Sequence, residues 1–142
     1  MQRIRRLREG EVALAWRVVR EMRGGEVAES YLEKVLGNEA NVLLVAEVKS
    51  EPAGYLYAHR LDRLRSEERQ LFVYDLEVGA PYRRRGIGTG LMERALEMAR
   101  AEVADAFVFT NHSNDSAMAL YEKVGGQAVN GDDLLFKYSY ER

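Results

Sequence analysis

Hydrophobic residues along the chain switch period several times, and each switch marks an element. Residues 2–7 alternate, with Ile4 on one side and Arg3 and Arg5 on the other, as in a short strand. From 10 to about 22, Val12, Trp16 and Val19 recur at helical spacing with Arg17 and Arg20 opposite, and Gly24-Gly25 stops the helix. A second helix is predicted over roughly 29–36, where Leu32, Val35 and Leu36 share a face that ends at Gly37-Asn38. Residues 41–48 hold a continuous apolar run at 42–46 with β-branched valines, the pattern of a strand buried on both faces. After a turn at Ser50-Glu51-Pro52, residues 53–61 form an antiparallel partner in which Tyr55, Tyr57 and His59 alternate with Gly54, Leu56 and Ala58.

The charged stretch 62–69 reads as a loop leading to a central strand over 71–78. A helix over 87–102 carries Ile87, Leu91, Ala95 and Met98 on its core stripe and leaves Glu93, Arg94, Glu97 and Arg100 wet. Residues 106–110 form a short buried strand, and a helix over 116–124 turns Ala117, Leu120 and Val124 inward before Gly125-Gly126 ends it. Two closing strands, at 128–129 and 134–140, flank an Asn130-Gly131 hairpin turn. Early antiparallel strands followed by a strand-helix-strand-helix unit define an α+β (mixed α/β) class with an open sheet.

Composition narrows the picture. A length of 142 residues suits one domain, 1–142, with no repeat or linker. A net charge of −2 from 21 basic and 23 acidic side chains gives nucleic acid no global attraction, so any anion is bound locally. The absence of cysteine excludes disulfides, a cysteine nucleophile and cysteine zinc sites; no metal is expected, and only His59 and His112 could serve as imidazole ligands or bases. Met1 to Leu7 is basic without an apolar h-region, and no apolar run approaches membrane-spanning length, so a cytoplasmic protein with no membrane partner is expected. Nothing in the sequence fixes oligomeric state, and a homodimer stays open.

The chemistry gathers at Arg83-Arg84-Arg85-Gly86-Ile87-Gly88-Thr89-Gly90. A strand, a basic glycine turn and a helix form an anion cradle: glycines let backbone N–H groups converge, and the helix N-terminus adds partial positive charge. The stretch lacks the Gly-Lys-Ser/Thr ending of a P-loop, and its G-x-G-x-G spacing is not the dinucleotide G-x-G-x-x-G. The alternative is a tight loop with solvated arginines.

Arg83-Arg84-Arg85-Gly86-Ile87-Gly88 resembles the Q/R-x-x-G-x-G/A acetyl-coenzyme-A motif of the GNAT superfamily of N-acetyltransferases. Downstream, the segment from Asn114 through Ala117 and Tyr121 to Gly125-Gly126 is similar to that superfamily's N-x-x-A-x-x-x-Y-x-x-x-G-F, with Gly126 in place of the final aromatic, a packing position. More narrowly, Tyr74-Asp75-Leu76-Glu77-Val78, the Arg65-Ser66-Glu67 loop and Ala119-Leu120-Tyr121-x-Lys123 resemble the small aminoglycoside 3-N-acetyltransferases.

The resemblance implies a GNAT-like open, mostly antiparallel sheet with a central parallel, splayed strand pair flanked by helices. It implies acetyl-CoA as cosubstrate and a small-molecule amine as acceptor, with direct transfer and no covalent enzyme intermediate. Backbone N–H groups from Arg84 to Thr89 would cradle the pyrophosphate, Arg83, Arg84 and Arg85 would supply charge, and Thr89 a hydroxyl; Gly86, Ile87 and Gly88 belong to the same turn. Backbone groups of Leu76 and Val78 would pair with the pantetheine arm and polarise the thioester carbonyl.

Asp75 is the candidate base, or an anchor for the acceptor's ammonium, or a carboxylate simply paired to an arginine. Strict alternation sets it opposite Tyr74 and Leu76, unless a bulge intervenes. Tyr121 would protonate the departing thiolate; otherwise it packs in the core. Asn114 fits a coenzyme contact or a helix cap equally. Glu26, Glu29, Asp62, Glu67, Glu68, Asp132 and Asp133 fall in predicted loops and helix ends, either a solvated surface or a field for a polycation. A coenzyme-A-binding regulatory module and acetylation of a polyamine, amino acid or protein N-terminus are the alternative functions.

Overall fold

A computed structural model describes residues 2–129 and 134–141, apart from the side chains of Val103 and Ala104. The chain runs β1 (Gln2–Arg6), α1 (Val12–Arg23), α2 (Glu29–Gly37), β2 (Asn41–Val48), β3 (Glu51–Leu61), β4 (Arg69–Val78), a 3-10 turn at Ala80–Tyr82, α3 (Ile87–Glu102), β5 (Val103–Val108) and α4 (Asp115–Lys123). The five strands lie in chain order. β1 to β4 pair antiparallel, and β4 pairs with β5 in parallel across α3. This is the mixed α/β architecture expected from the pattern.

The sheet is covered on both faces, which explains the continuous apolar run in β2. Val42, Leu44 and Ala46 point into a core with α3 and α4, to which Leu56, Ala58, Leu71, Val73, Ile87 and Leu91 also belong. Val45 and Leu43 point the other way, into a second core with Leu7, Ala15, Val18, Leu32 and Tyr55 beneath α1 and α2. Leu44 and Leu56 are wholly buried, each stabilising the fold by about 1.5–3 kcal/mol.

Four expectations need correction. The β2–β3 turn is Lys49-Ser50, both at positive φ (52° and 66°). Glu51 and Pro52 already pair with Val48 and Glu47. A two-residue turn of this hand matches the strand twist, although neither residue is the Gly, Asn or Asp that such turns favour. β5 spans Val103–Val108 rather than 106–110, following α3 without a loop and ending where its partner β4 changes course. β4 is next to the sheet edge among the described residues, not central. Finally, 128–129 and 134–140 carry no strand. Leu134, Leu135, Phe136 and Tyr138 are 75–80% exposed, so their alternation has nothing to bury against. The predicted Asn130-Gly131 turn lies outside the described residues.

Candidate functional site

The site originates in one irregularity of β4. Tyr57 faces Asp75 across the β3–β4 ladder, but the next residue, Ala58, faces Val73, so Tyr74 is left over as a bulge. A bulge resets the side-chain alternation. Before it the odd-numbered Leu71 and Val73 enter the α3 core; beyond it the even-numbered Leu76 and Val78 do. Asp75 and Glu77 are thereby turned to the α1 side, where Tyr55 lies. The bulge also coincides with the end of the parallel ladder. Val73 and Val108 are its last pair, whereas β4 continues to Val78. From Tyr74 onward, the β4 edge away from β3 has no strand partner among the described residues.

Beside this open edge, the α3 side is built mostly of backbone. Arg84 and Gly86 both take left-handed φ values (64° and 77°), a sequence of conformations that gathers N–H groups into an anion-binding concavity. A Cβ on Gly86 would meet nothing within 4 Å, so glycine is favoured there by φ alone. The Gly90 N–H donates to the Gly86 carbonyl (2.9 Å). The amides of Ile87, Gly88 and Thr89 precede that first helical bond and remain available to an anion. Gly88 lets the helix start press onto β4 and α4: a Cβ there would lie 3.4–3.9 Å from Leu120, Val78 and Leu76. Buried Ile87 pins the same turn.

The three arginines are not equivalent. Arg83 Nε donates to the Val78 carbonyl (3.2 Å), so that carbonyl, expected to be open, is engaged here. Arg83 also approaches Glu77 at 3.8 Å. The Arg85 guanidinium lies 5.7 Å from the centre of the Tyr82 ring. All of Arg83, Arg84 and Arg85 remain exposed.

Tyr121 lies on α4, packed against the α3 core. It lines a cavity of about 320 Å³ with Val73, Phe107, Val108 and Gly126. Burial, and secondarily the charge of Asp75, push its hydroxyl pKa above the usual tyrosine value. Asn114 is the helix cap: its Oδ1 accepts from the Ala117 N–H (3.1 Å) and the Ser116 hydroxyl (3.2 Å). Gly126 is more than a packing substitution. Its N–H donates to the Tyr121 carbonyl (2.9 Å). A Cβ on it would sit 2.8 Å from that same oxygen, so the family's aromatic does not fit this backbone.

On the α1 side the site is made of charged and hydroxyl side chains. The Tyr55 hydroxyl donates to Asp75 Oδ2 at 2.6 Å. Burial first, then that bond, raise the tyrosine pKa well above its normal range, so it stays a donor. Arg23, the last residue of α1, sets Nε 3.9 Å from Asp75 and Nη1 3.2 Å from Glu77. Tyr55, Glu77 and Arg23 were not singled out from the sequence. Glu77 had a signal, since it shares Asp75's parity; Tyr55 and Arg23 depend on register and on how α1 docks.

The remaining candidates lie elsewhere. His59 donates from Nδ1 to Asn41 Oδ1 (3.0 Å), and burial lowers its pKa, so it is a neutral structural residue. His112 is exposed in the loop before α4. Asp62 pairs with Arg69 (2.8 Å). Glu26, Glu29, Glu67 and Glu68 are exposed, and Asp132 and Asp133 lie outside the described residues. No described helix is long and apolar enough to cross a membrane.

Residues 12–126 match the acetyltransferase (GNAT) family. The structure resembles an aminoglycoside acetyltransferase from an uncultured soil metagenomic sample, with a TM-score of 0.88, 27% identity and 99% of each chain covered. A second aminoglycoside acetyltransferase from such a sample, in complex with sisomicin, shares the fold at a TM-score of 0.88 and 22% identity, over 99% of this chain and 97% of that one. N-alpha-acetyltransferase 30 of Xenopus laevis is 31% identical over 102 residues, which is 71% of this chain and 36% of that protein. The present chain therefore spans little more than a third of that relative. Matched over most of its length and carrying the glycine turn at the head of α3, the chain belongs to the acetyltransferase (GNAT) family.

Proposed function

We propose that the protein transfers the acetyl group of acetyl-CoA directly to a primary amine, and that the amine belongs to an aminoglycoside, at its 3-N position. The carrying observation is the bulge at Tyr74, which sets Asp75 on one side of an open β4 edge and leaves the other side to α3 and Tyr121. The cosubstrate supplies an acetyl group activated as a thioester.

The residues present suit it. The left-handed pair Arg84 and Gly86, with the first amides of α3, offers N–H donors to a pyrophosphate. Leu76 and Val78 lie on the stretch of β4 where an extended arm could take backbone hydrogen bonds in place of a strand, the Val78 carbonyl once Arg83 gives it up. Asp75 then receives the proton that the acceptor's ammonium must lose before it can attack, or passes it to water. Tyr121, kept protonated by burial, supplies a proton to the departing sulfur. A thiolate with a reference pKa of roughly 8.5 is already a fair leaving group, so that proton contributes modestly.

Support for an aminoglycoside comes from the 27% identical neighbour of that name and from two carboxylates, Asp75 and Glu77, on the acceptor side. Such an enzyme would confer antibiotic resistance where acetyl-CoA is made, in the cytoplasm. The 31% identical N-alpha-acetyltransferase favours a second reading, a peptide N-terminus as acceptor. Thiol release from acetyl-CoA, measured over aminoglycosides, polyamines and short peptides, separates the readings. Turnover of aminoglycosides above the others is the expected result. Turnover of peptides alone transfers the assignment to N-terminal acetylation, and acetyl-CoA binding without any turnover leaves a binding module.

A further inference from the structure

Arg23 has an unusual place. It is the final residue of α1, immediately before Gly24, which caps the helix in a left-handed conformation (φ 73°). Its side chain is 54% exposed, yet its guanidinium reaches across to both carboxylates of the acceptor side, 3.9 Å from Asp75 and 3.2 Å from Glu77. The geometry points to Arg23 as an internal competitor of the acceptor: its guanidinium occupies the Asp75–Glu77 position that a substrate ammonium takes, and it thereby sets how strongly cationic acceptors bind. This rests on the reading of Asp75 as facing the acceptor.

The charges make the consequence definite. Asp75 and Glu77 together carry −2, and Arg23 reduces this to −1. Arg83 approaches Glu77 alone of the two carboxylates, at 3.8 Å, and is also tied to the Val78 carbonyl, so Asp75 is left to Arg23. An incoming ammonium must therefore displace Arg23 or share the carboxylates with it. Displacement is within reach: the side chain is half in water, and Gly24-Gly25 follows it. Asp75 does not follow Arg23 outward, because Tyr55 holds Oδ2 at 2.6 Å. Arg23 thus acts as a specificity residue. Its cation weakens binding of every ammonium-bearing acceptor, and weakens it more as the acceptor's charge increases. The high pKa of Arg23, raised chiefly by Asp75, keeps the competitor charged at all working pH values.

Direct binding tests this without relying on catalysis. Titrations of spermidine and of butylamine are followed by NMR or calorimetry on the parent protein, Arg23→Gln and Arg23→Lys, with thermal melts to establish folding. Arg23→Gln is expected to bind spermidine roughly tenfold more tightly and butylamine by a smaller factor, while Arg23→Lys stays near the parent. Equal or weaker binding of both amines by folded Arg23→Gln overturns the inference, as does the same gain in Arg23→Lys, which would indicate a steric effect. Thiol-release assays on the three proteins keep the two claims apart. Tighter binding without turnover of any amine leaves the competitor role standing and removes the transferase reading; turnover with unchanged binding does the reverse.

Discussion

Beyond Tyr74 the even-numbered face of β4 carries Leu76 and Val78 beneath the first turn of α3, whereas the odd-numbered face carries Asp75 and Glu77 beneath the end of α1. The first face is made from glycine geometry and backbone amides: left-handed Arg84 and Gly86, and Gly88 against Leu76 and Val78. The second is made from side chains of three distant elements: Arg23 of α1, Tyr55 of β3, and Asp75 and Glu77 of β4. A donor that is the same in every reaction cycle suits a rigid backbone cradle. An acceptor that differs between enzymes of one fold suits exchangeable side chains.

The strongest test of this division is Asp75→Asn. It removes a charge and the proposed base from the side-chain face and leaves the backbone face intact. kcat/KM for the amine is expected to fall by about 100-fold or more, while the KM for acetyl-CoA holds. A fall carried by the amine KM alone, with kcat preserved, would make Asp75 an anchor rather than a base.

Gly54→Ala should disturb both faces at once. Gly54 pairs with Val78, and a Cβ on it would lie 2.8 Å from the Glu77 carbonyl and 3.3 Å from Ile87. Because the first of these atoms is backbone, β4 itself must move, at a cost of about 1–3 kcal/mol in denaturant unfolding. Unchanged stability would mean that the strand tolerates displacement and that the position of Asp75 is less fixed than Tyr55 suggests.

The contrast between the faces also explains what could be read from the sequence. The glycine turn, α3 and the Asn114-to-Gly126 segment are local, so composition and periodicity expose the first two and the resemblance to a family motif the third, and the helix over 87–102 has those limits in the structure. The bulge at Tyr74 carries no residue signal: Tyr74-Asp75-Leu76 alternates like any strand, and only the register with Tyr57 and Ala58 reveals the extra residue. Without that register the side to which Asp75 points stays open, and Tyr55 and Arg23 have no reason to be grouped with it. The β2–β3 turn is displaced by one residue from Ser50-Glu51-Pro52 to Lys49-Ser50, since Pro52 gives a stronger turn signal than Lys49. Alternation over 134–140 indicated a strand, but alternation reports only what a strand would bury, and Phe136 and Tyr138 are 75% and 77% exposed.

Tyr121→Phe tests the junction between the faces. The rate of the chemical step should fall by about tenfold, because the leaving thiolate needs the proton only in part. Burial and Asp75 raise the tyrosine pKa above its usual value of 10.0, so the acid form persists throughout neutral and mildly alkaline pH. The ratio of parent to variant kcat should therefore stay constant between about pH 7 and 9. A ratio that shrinks toward unity across that range would show a tyrosine losing its proton there, and would remove it as the acid.

Asn114→Ala is the smallest and the most discriminating for the α4 boundary. Oδ1 of Asn114 accepts from the Ala117 amide and the Ser116 hydroxyl, leaving its amide nitrogen as the group that could still reach a coenzyme. As a cap, its loss frays the first turn of a nine-residue helix and costs about 1 kcal/mol in unfolding free energy. As a coenzyme contact, its loss raises the acetyl-CoA KM. Asn114→Ser supplies the control, since a serine hydroxyl caps nearly as well but removes the amide nitrogen. Stability restored by serine with an acetyl-CoA KM equal to the parent's assigns Asn114 to the helix. A KM raised alike in both variants assigns it to the donor face, adding a polar side chain to a surface built mostly of backbone.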